Sequence, residues 1–98
     1  QRQMCIRDRD HLKEFMLELG TGFYFEARQK RILIDNNYYF YDLLFYNRLL
    51  HCGVIIELKS HELDYKDIAQ LNMYLAYYRK NLMSSSDNPP VVFCFVRV

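Results

Sequence analysis

Hydrophobic and polar positions change their period three times along this chain. Leu12, Phe15, Met16 and Leu19 fall at i, i+3, i+4 and i+7, which predicts an amphipathic helix over Asp10–Leu19. Asp10 can cap its start, and Gly20 with Gly22 can stop it. From Phe23 to Tyr46 the period falls to two, with aromatic and β-branched residues abundant. Asp35-Asn36-Asn37 interrupts that stretch as a turn, leaving strands near Gly22–Leu33 and Tyr38–Tyr46. A third strand is expected over His51–Lys59, after the short link Asn47–Leu50. Asp64 then opens a long helix, with Asp67 as its capping-box partner. Ile68, Leu71, Leu75, Tyr78 and Leu82 form the expected buried stripe of that helix. Ser84–Pro90 reads as a loop, and Val91–Val98 as a final buried strand.

The order α-β-β-β-α-β predicts an α/β domain. Three sequential strands make an antiparallel meander, and the long helix is the crossover that permits a parallel fourth strand. The sheet is expected to be mixed and flanked by helices. At 98 residues the chain has room for one core. Residues 1–9 (QRQMCIRDR) share no period with the rest of the chain, and they are set aside as a non-native, artefactual leader. Residues 10–98 are then the domain, cut short in an apolar run at its C-terminus. This division moves the formal charge from +1 for the chain to −1 for the body, which advertises no polyanion partner. No apolar run reaches the roughly 18 residues a bilayer crossing needs, so no membrane partner is expected. Cys5, Cys52 and Cys94 are odd in number and lack CxxC spacing, which fits reduced thiols in a cytoplasmic protein. Val91–Val98, with Phe93 and Phe95, is expected to be an exposed, aggregation-prone strand if its neighbours are missing.

Charged residues inside such apolar strands change the picture. Asp42 interrupts YYFYDLLFY, and Glu57 with Lys59 ends VIIELK. Buried charge is costly unless it is paired or bound to a metal. Period two puts Gly53, Ile55, Glu57 and Lys59 on one face and Val54, Ile56 and Leu58 on the other. A turn centred between Leu49 and Leu50 makes opposed residue numbers sum to 99, and so sets Asp42 against Glu57. Two like charges so placed need compensation. Either Lys59 completes a structural ion cluster, or hard oxygen ligands hold Mg²⁺ or Mn²⁺. His11, His51 and His61 have no metal-ligand spacing. No glycine-rich phosphate loop or serine elbow is present. The many tyrosines could stack nucleic-acid bases, although core packing accounts for most of them.

At these residues the chain resembles the PD-(D/E)XK nuclease superfamily. The segments FMLELGTG (Phe15–Gly22), Ala27-Arg28-Gln29, YDLLFY (Tyr41–Tyr46), VIIELK (Val54–Lys59) and QLNMY (Gln70–Tyr74) are similar to the YhcG-like branch, a bacterial family with a C-terminal nuclease domain. The likeness runs from Leu12 to Val96 and implies a restriction-endonuclease-like core. It implies that Asp42, Glu57 and the main-chain carbonyl of Leu58 hold Mg²⁺ or Mn²⁺. Lys59 would position the attacking water, Glu18 would complete the metal shell or bind that water, and Gln70 would be the polar residue of the second helix. Arg28 and Gln29 would contact substrate or brace the site, and Tyr74, one turn beyond Gln70, would contact substrate. Tyr41 stands where the superfamily's name has proline, and Ala27 where this branch has glycine. The implied activity is metal-dependent hydrolysis of DNA phosphodiesters in restriction, repair or recombination. The implied partners are DNA, an N-terminal winged-helix-like domain absent from this chain, and a second copy in a homodimer. The competing reading is a noncatalytic binding or assembly module on the same fold.

Overall fold

A computed structural model describes residues 2–6 and 20–97. The expected first helix, with Glu18, lies outside the described residues. Those residues form β1 (Arg2–Ile6), β2 (Phe23–Ile34), β3 (Asn37–Asn47), β4 (Cys52–Lys59), α1 (Tyr65–Asn81) and β5 (Val91–Val96). They make an α/β arrangement with one mixed sheet in the order β1-β5-β4-β3-β2. β2, β3 and β4 pair antiparallel, while β4, β5 and β1 pair parallel. The crossover through α1 supplies the parallel β4–β5 pair, as the element order requires.

Two placements differ from the patterning. Arg2–Ile6, which shows no period, forms β1 along β5, with Met4 opposite Phe93 and Cys5 opposite Cys94. β5 is therefore an inner strand of the sheet, not an exposed one. The helix keeps its expected stripe at Leu71, Leu75, Tyr78 and Leu82 and differs from it at two positions. Leu71, Tyr74, Leu75 and Tyr78 are buried, whereas Ile68 is exposed. Asp64 caps α1 by accepting from the Lys66 and Asp67 backbone N–H groups, and Asp67 closes the capping box.

The sheet's two faces separate as period two demands. On the α1 face, Ile32, Tyr41, Leu44, Ile55, Val92, Cys94 and Val96 pack with the helix residues. Cys52, Val54, Ile56, Phe93 and Phe95 form a second cluster on the other face. Gly53 lies directly beneath Tyr78, and any β-carbon there would overlap that ring. The helix can approach the sheet this closely only because residue 53 has no side chain.

β3 breaks its own alternation. Tyr39, Tyr41 and Leu44 all contact the α1-side core, so the phase slips by one residue between Tyr41 and Leu44. Its neighbour is irregular in the same place, with Gln29 in the left-handed region at φ 51°. The slip occurs at Asp42.

Candidate active site

β3 and β4 stay in the register that sums to 99 from the turn, Asn47 opposite Cys52, as far as Leu43 opposite Ile56. Beyond that pair the strands part, and side chains replace the ladder. The Asp42 backbone N–H donates to Glu57 Oε2 at 2.8 Å, and the Leu58 backbone N–H donates to Asp42 Oδ2 at 2.8 Å. Each carboxylate thus satisfies a backbone donor orphaned by the separation. Gln29 Nε2 donates to the other Asp42 oxygen, Oδ1, at 3.1 Å, and so fixes the carboxylate's plane.

Lys59 follows Glu57 on the α1 face. Its Nζ donates to Gln70 Oε1 at 3.1 Å and lies 3.8 Å from Asp67 Oδ1. The first turns of α1 therefore carry polar groups inward just where the sheet opens. His61 Nε2 reaches the second Asp67 oxygen at 3.3 Å. Patterning marks Asp67 only as a cap. Its place three residues before Gln70, on the same helix face, is the one sign in the sequence of a second role.

Glu57 is 2% exposed. Burial pushes its carboxyl up to about 8, and the Asp42 charge adds to the rise, while the Asp42 N–H and Lys59 oppose it. The site is short of positive charge at its carboxylates.

The donor chemistry fits a hard divalent cation. Among the described residues no three His, Cys, Asp or Glu side chains converge, so the side-chain donors are Asp42 and Glu57 alone. Magnesium is ordinarily held by one or two carboxylates, with water and phosphate oxygens completing its shell. A third protein oxygen is also available. The Lys59 carbonyl accepts from Arg97 N–H, so the Lys59 backbone points to β5. Backbone direction alternates along a strand, so the Leu58 carbonyl points toward the edge that β3 has vacated.

The other expected site residues separate into two groups. Asp42, Glu57, Lys59, Gln70 and Gln29 come together. Arg28 is exposed opposite Leu43, one pair from Asp42, and does not reach the carboxylates. Tyr74 is buried at 3% exposure between Tyr39 and Tyr41 and packs rather than facing solvent. The Tyr41 hydroxyl donates to the Tyr74 carbonyl at 2.7 Å and so ties β3 to α1 one turn beyond Gln70. A cleft of 210 Å³ lined by Leu58, Lys59, Ser60, Phe95 and Arg97 opens beside Lys59.

The chain is similar to known proteins over most of its length. The family model described as "YhcG PDDEXK nuclease domain" matches residues 4–97. A protein of Escherichia coli (strain K12), named "Putative nuclease YhcG", is 45% identical over 82 residues. That alignment covers 84% of this chain and 22% of the relative, so the chain spans under a quarter of the relative's length. No solved structure matches. With the family match running over both carboxylates, Lys59 and Gln70, this chain belongs to the YhcG PDDEXK nuclease domains.

Proposed function

We propose that this domain hydrolyses DNA phosphodiester bonds as an endonuclease dependent on Mg²⁺ or Mn²⁺. The observation that carries the reading is the parting of β3 and β4 at Asp42. It sets one half-buried and one buried carboxylate side by side with too little positive charge beside them. Asp42, Glu57 and the Leu58 carbonyl would hold the cation. When bound, it supplies Lewis-acid polarisation of the phosphate and a lowered pKa for bound water.

The remaining chemistry belongs to the chain's own residues. Lys59 presents its ammonium at the same opening, to position water and to stabilise charge growing on the phosphate. Gln70 and Asp67 hold that ammonium from α1, and Gln29 holds Asp42 from β2. Positions fixed before substrate arrives lower the cost of reaching the transition state. Glu18 is assigned to the same shell as a third acid. Since the curated relative is far longer than this chain, DNA targeting is assigned to a winged-helix-like region outside it. Cutting both strands is assigned to a homodimer. Among the described residues no helix is long and apolar enough to cross a membrane. The free thiols of Cys52 and Cys94 and a DNA substrate together support a cytoplasmic setting for the reaction.

The test is cleavage of linear, single-stranded and branched DNA with Mg²⁺ or EDTA, comparing the parent with Lys59→Ala. Metal-dependent cutting lost in the variant is the expected result. Absence of cutting by folded parent, on every substrate, would move the reading to a noncatalytic binding module.

A further inference from the structure

Beyond Leu43 the β2–β3 pair continues without β4. Its register runs through Lys30 opposite Tyr41, Arg31 opposite Phe40, Ile32 opposite Tyr39 and Leu33 opposite Tyr38, to the Asp35-Asn36 turn. This two-stranded ribbon starts at the candidate active site, because Gln29 at its base contacts Asp42. Its α1 face is closed: Ile32, Ile34 and Tyr39 pack into the core. The opposite face is open. There Leu33 is 49% exposed, Tyr38 60% and Phe40 43%, so core packing does not account for these rings.

Arg31 lies on that same face, its guanidinium 4.6 Å from the centroid of the Tyr38 ring. Arg28 follows at the end nearer the site. Residues 28–41 carry Arg28, Lys30 and Arg31 against Asp35, a net +2 in a chain whose total is +1. No ion pair among the described residues engages these three cations. The ribbon is thus a basic arm on a domain that is otherwise close to neutral.

We infer that the open face of this ribbon is a stacking platform for unpaired bases of the DNA that the adjacent site cuts, so the substrate class is DNA with a single-stranded segment. The inference rests on the nuclease reading for its location and on the ribbon itself for its chemistry. Exposed rings interleaved with cations are what single-stranded nucleic acid requires, since bases stack on the rings and phosphates pair with the guanidinium groups. Tyr38 and Phe40 stand two residues apart on one strand, about 6.6–6.8 Å along it, so each ring can take its own base. Charge argues against a second copy as the occupant. A two-fold contact lays a patch on itself, and here it would press the Arg28 and Arg31 cations of one copy onto the equally basic ribbon of the other.

The test measures binding in EDTA, where cutting is suppressed. Fluorescence anisotropy would follow the chain with labelled oligo-dT, a blunt duplex, and the same duplex bearing an unpaired oligo-dT tail. The parent is expected to prefer oligo-dT and the tailed duplex to the blunt one. Tyr38→Ala and Phe40→Ala should each weaken oligo-dT binding by about tenfold or more and leave blunt-duplex binding within about twofold. Tyr38→Phe keeps the ring and should keep the affinity. Phe40→Trp adds a reporter whose fluorescence oligo-dT should quench, and melting curves check that every variant folds. Unchanged oligo-dT affinity in Tyr38→Ala and Phe40→Ala would overturn the inference. So would an equal loss for all three DNAs. Rings that instead control sedimentation as a dimer, with DNA binding intact, would overturn it in favour of self-association. Ring-dependent binding without metal-dependent cutting would leave the platform standing and remove the nuclease reading.

Discussion

The two ends of the β3–β4 hairpin use buried polar groups in opposite ways. At the turn end Asn47 is 2% exposed, and its Oδ1 accepts from the Leu49 and Leu50 backbone N–H groups at 3.0 and 2.9 Å. Tyr46 donates to Asp87 at 2.6 Å, and Asp87 also accepts from Ser84 N–H, which ties the Ser84–Pro90 loop to the sheet. Asn47 and Asp87 there both accept from backbone N–H groups, and each polar group is matched by a donor. At the open end Glu57 is equally buried, but as a carboxylate beside a second carboxylate, with its pKa pushed up to about 8. A neutral amide satisfied by two donors stabilises a fold, whereas an under-compensated buried acid costs stability. Natural proteins accept that cost where chemistry requires it.

Substitution separates the two ends most sharply in activity. Lys59→Ala and Glu57→Gln are expected to lower cleavage by about 10³-fold or more, of the order seen when a transition-state electrostatic partner is removed. Single-turnover assays in Mg²⁺ would check this. In the metal-free protein Glu57→Gln should raise the melting temperature at pH 8, because it removes a buried charge. A fall in melting temperature comparable to that of a turn-end variant would collapse the distinction.

Asn47→Ala should do the reverse. It strands two backbone donors and is expected to cost about 2–3 kcal/mol, read by urea denaturation, with cleavage per folded molecule unchanged.

The pH dependences should also run in opposite senses. The folded-state pKa of Glu57 is raised, so the unfolded chain ionises first. The contribution of Glu57 to metal-free stability should then be greatest below about 4.5 and fall as pH rises toward about 8. If the site holds Mg²⁺ as proposed, saturating Mg²⁺ should flatten that fall, because a cation bound only by the native state stabilises it. At the turn end, the Tyr46 hydroxyl and Ser84 N–H hold Asp87 below its ordinary range. Its contribution is present above pH 3.8 and is lost as pH drops through its lowered native value. Melting scans across acid and neutral pH, in parent and Asp87→Asn, would resolve the two.

Smaller effects sharpen the description of the open end. Asp64→Ala removes the cap of α1 and should cost about 1 kcal/mol. It should also loosen Asp67, which shares that cap with Lys59, and so lower kcat modestly with KM unchanged. Gln29→Ala frees the Asp42 carboxylate and is expected to change cleavage least, by about threefold to tenfold. A loss equal to that of Lys59→Ala would make Gln29 part of the reaction itself.

Much of the open end is legible in the chain alone. Period two in VIIELK assigns Glu57 and Lys59 to one face, because alternation is a local property of the strand. The Asn47–Leu50 link sets the register that runs to Leu43 opposite Ile56 and leaves Asp42 and Glu57 at the next position, because a short turn leaves little freedom. Asp64 and Asp67 announce the start of α1, since capping is satisfied within one turn. These features depend on neighbours in the chain, and the chain by itself determines them. Tertiary structure decided the rest. β1 takes its place from β5, which is distant in sequence. Tyr74 is buried and Ile68 exposed on a helix whose Asp67 and Gln70 face Lys59, contacts made across the fold rather than along the chain. The slip at Asp42, with Gln29 at φ 51°, arises where β3 leaves β4 but keeps β2. Whether two strands part is a contest among long-range contacts, and no local pattern records its outcome.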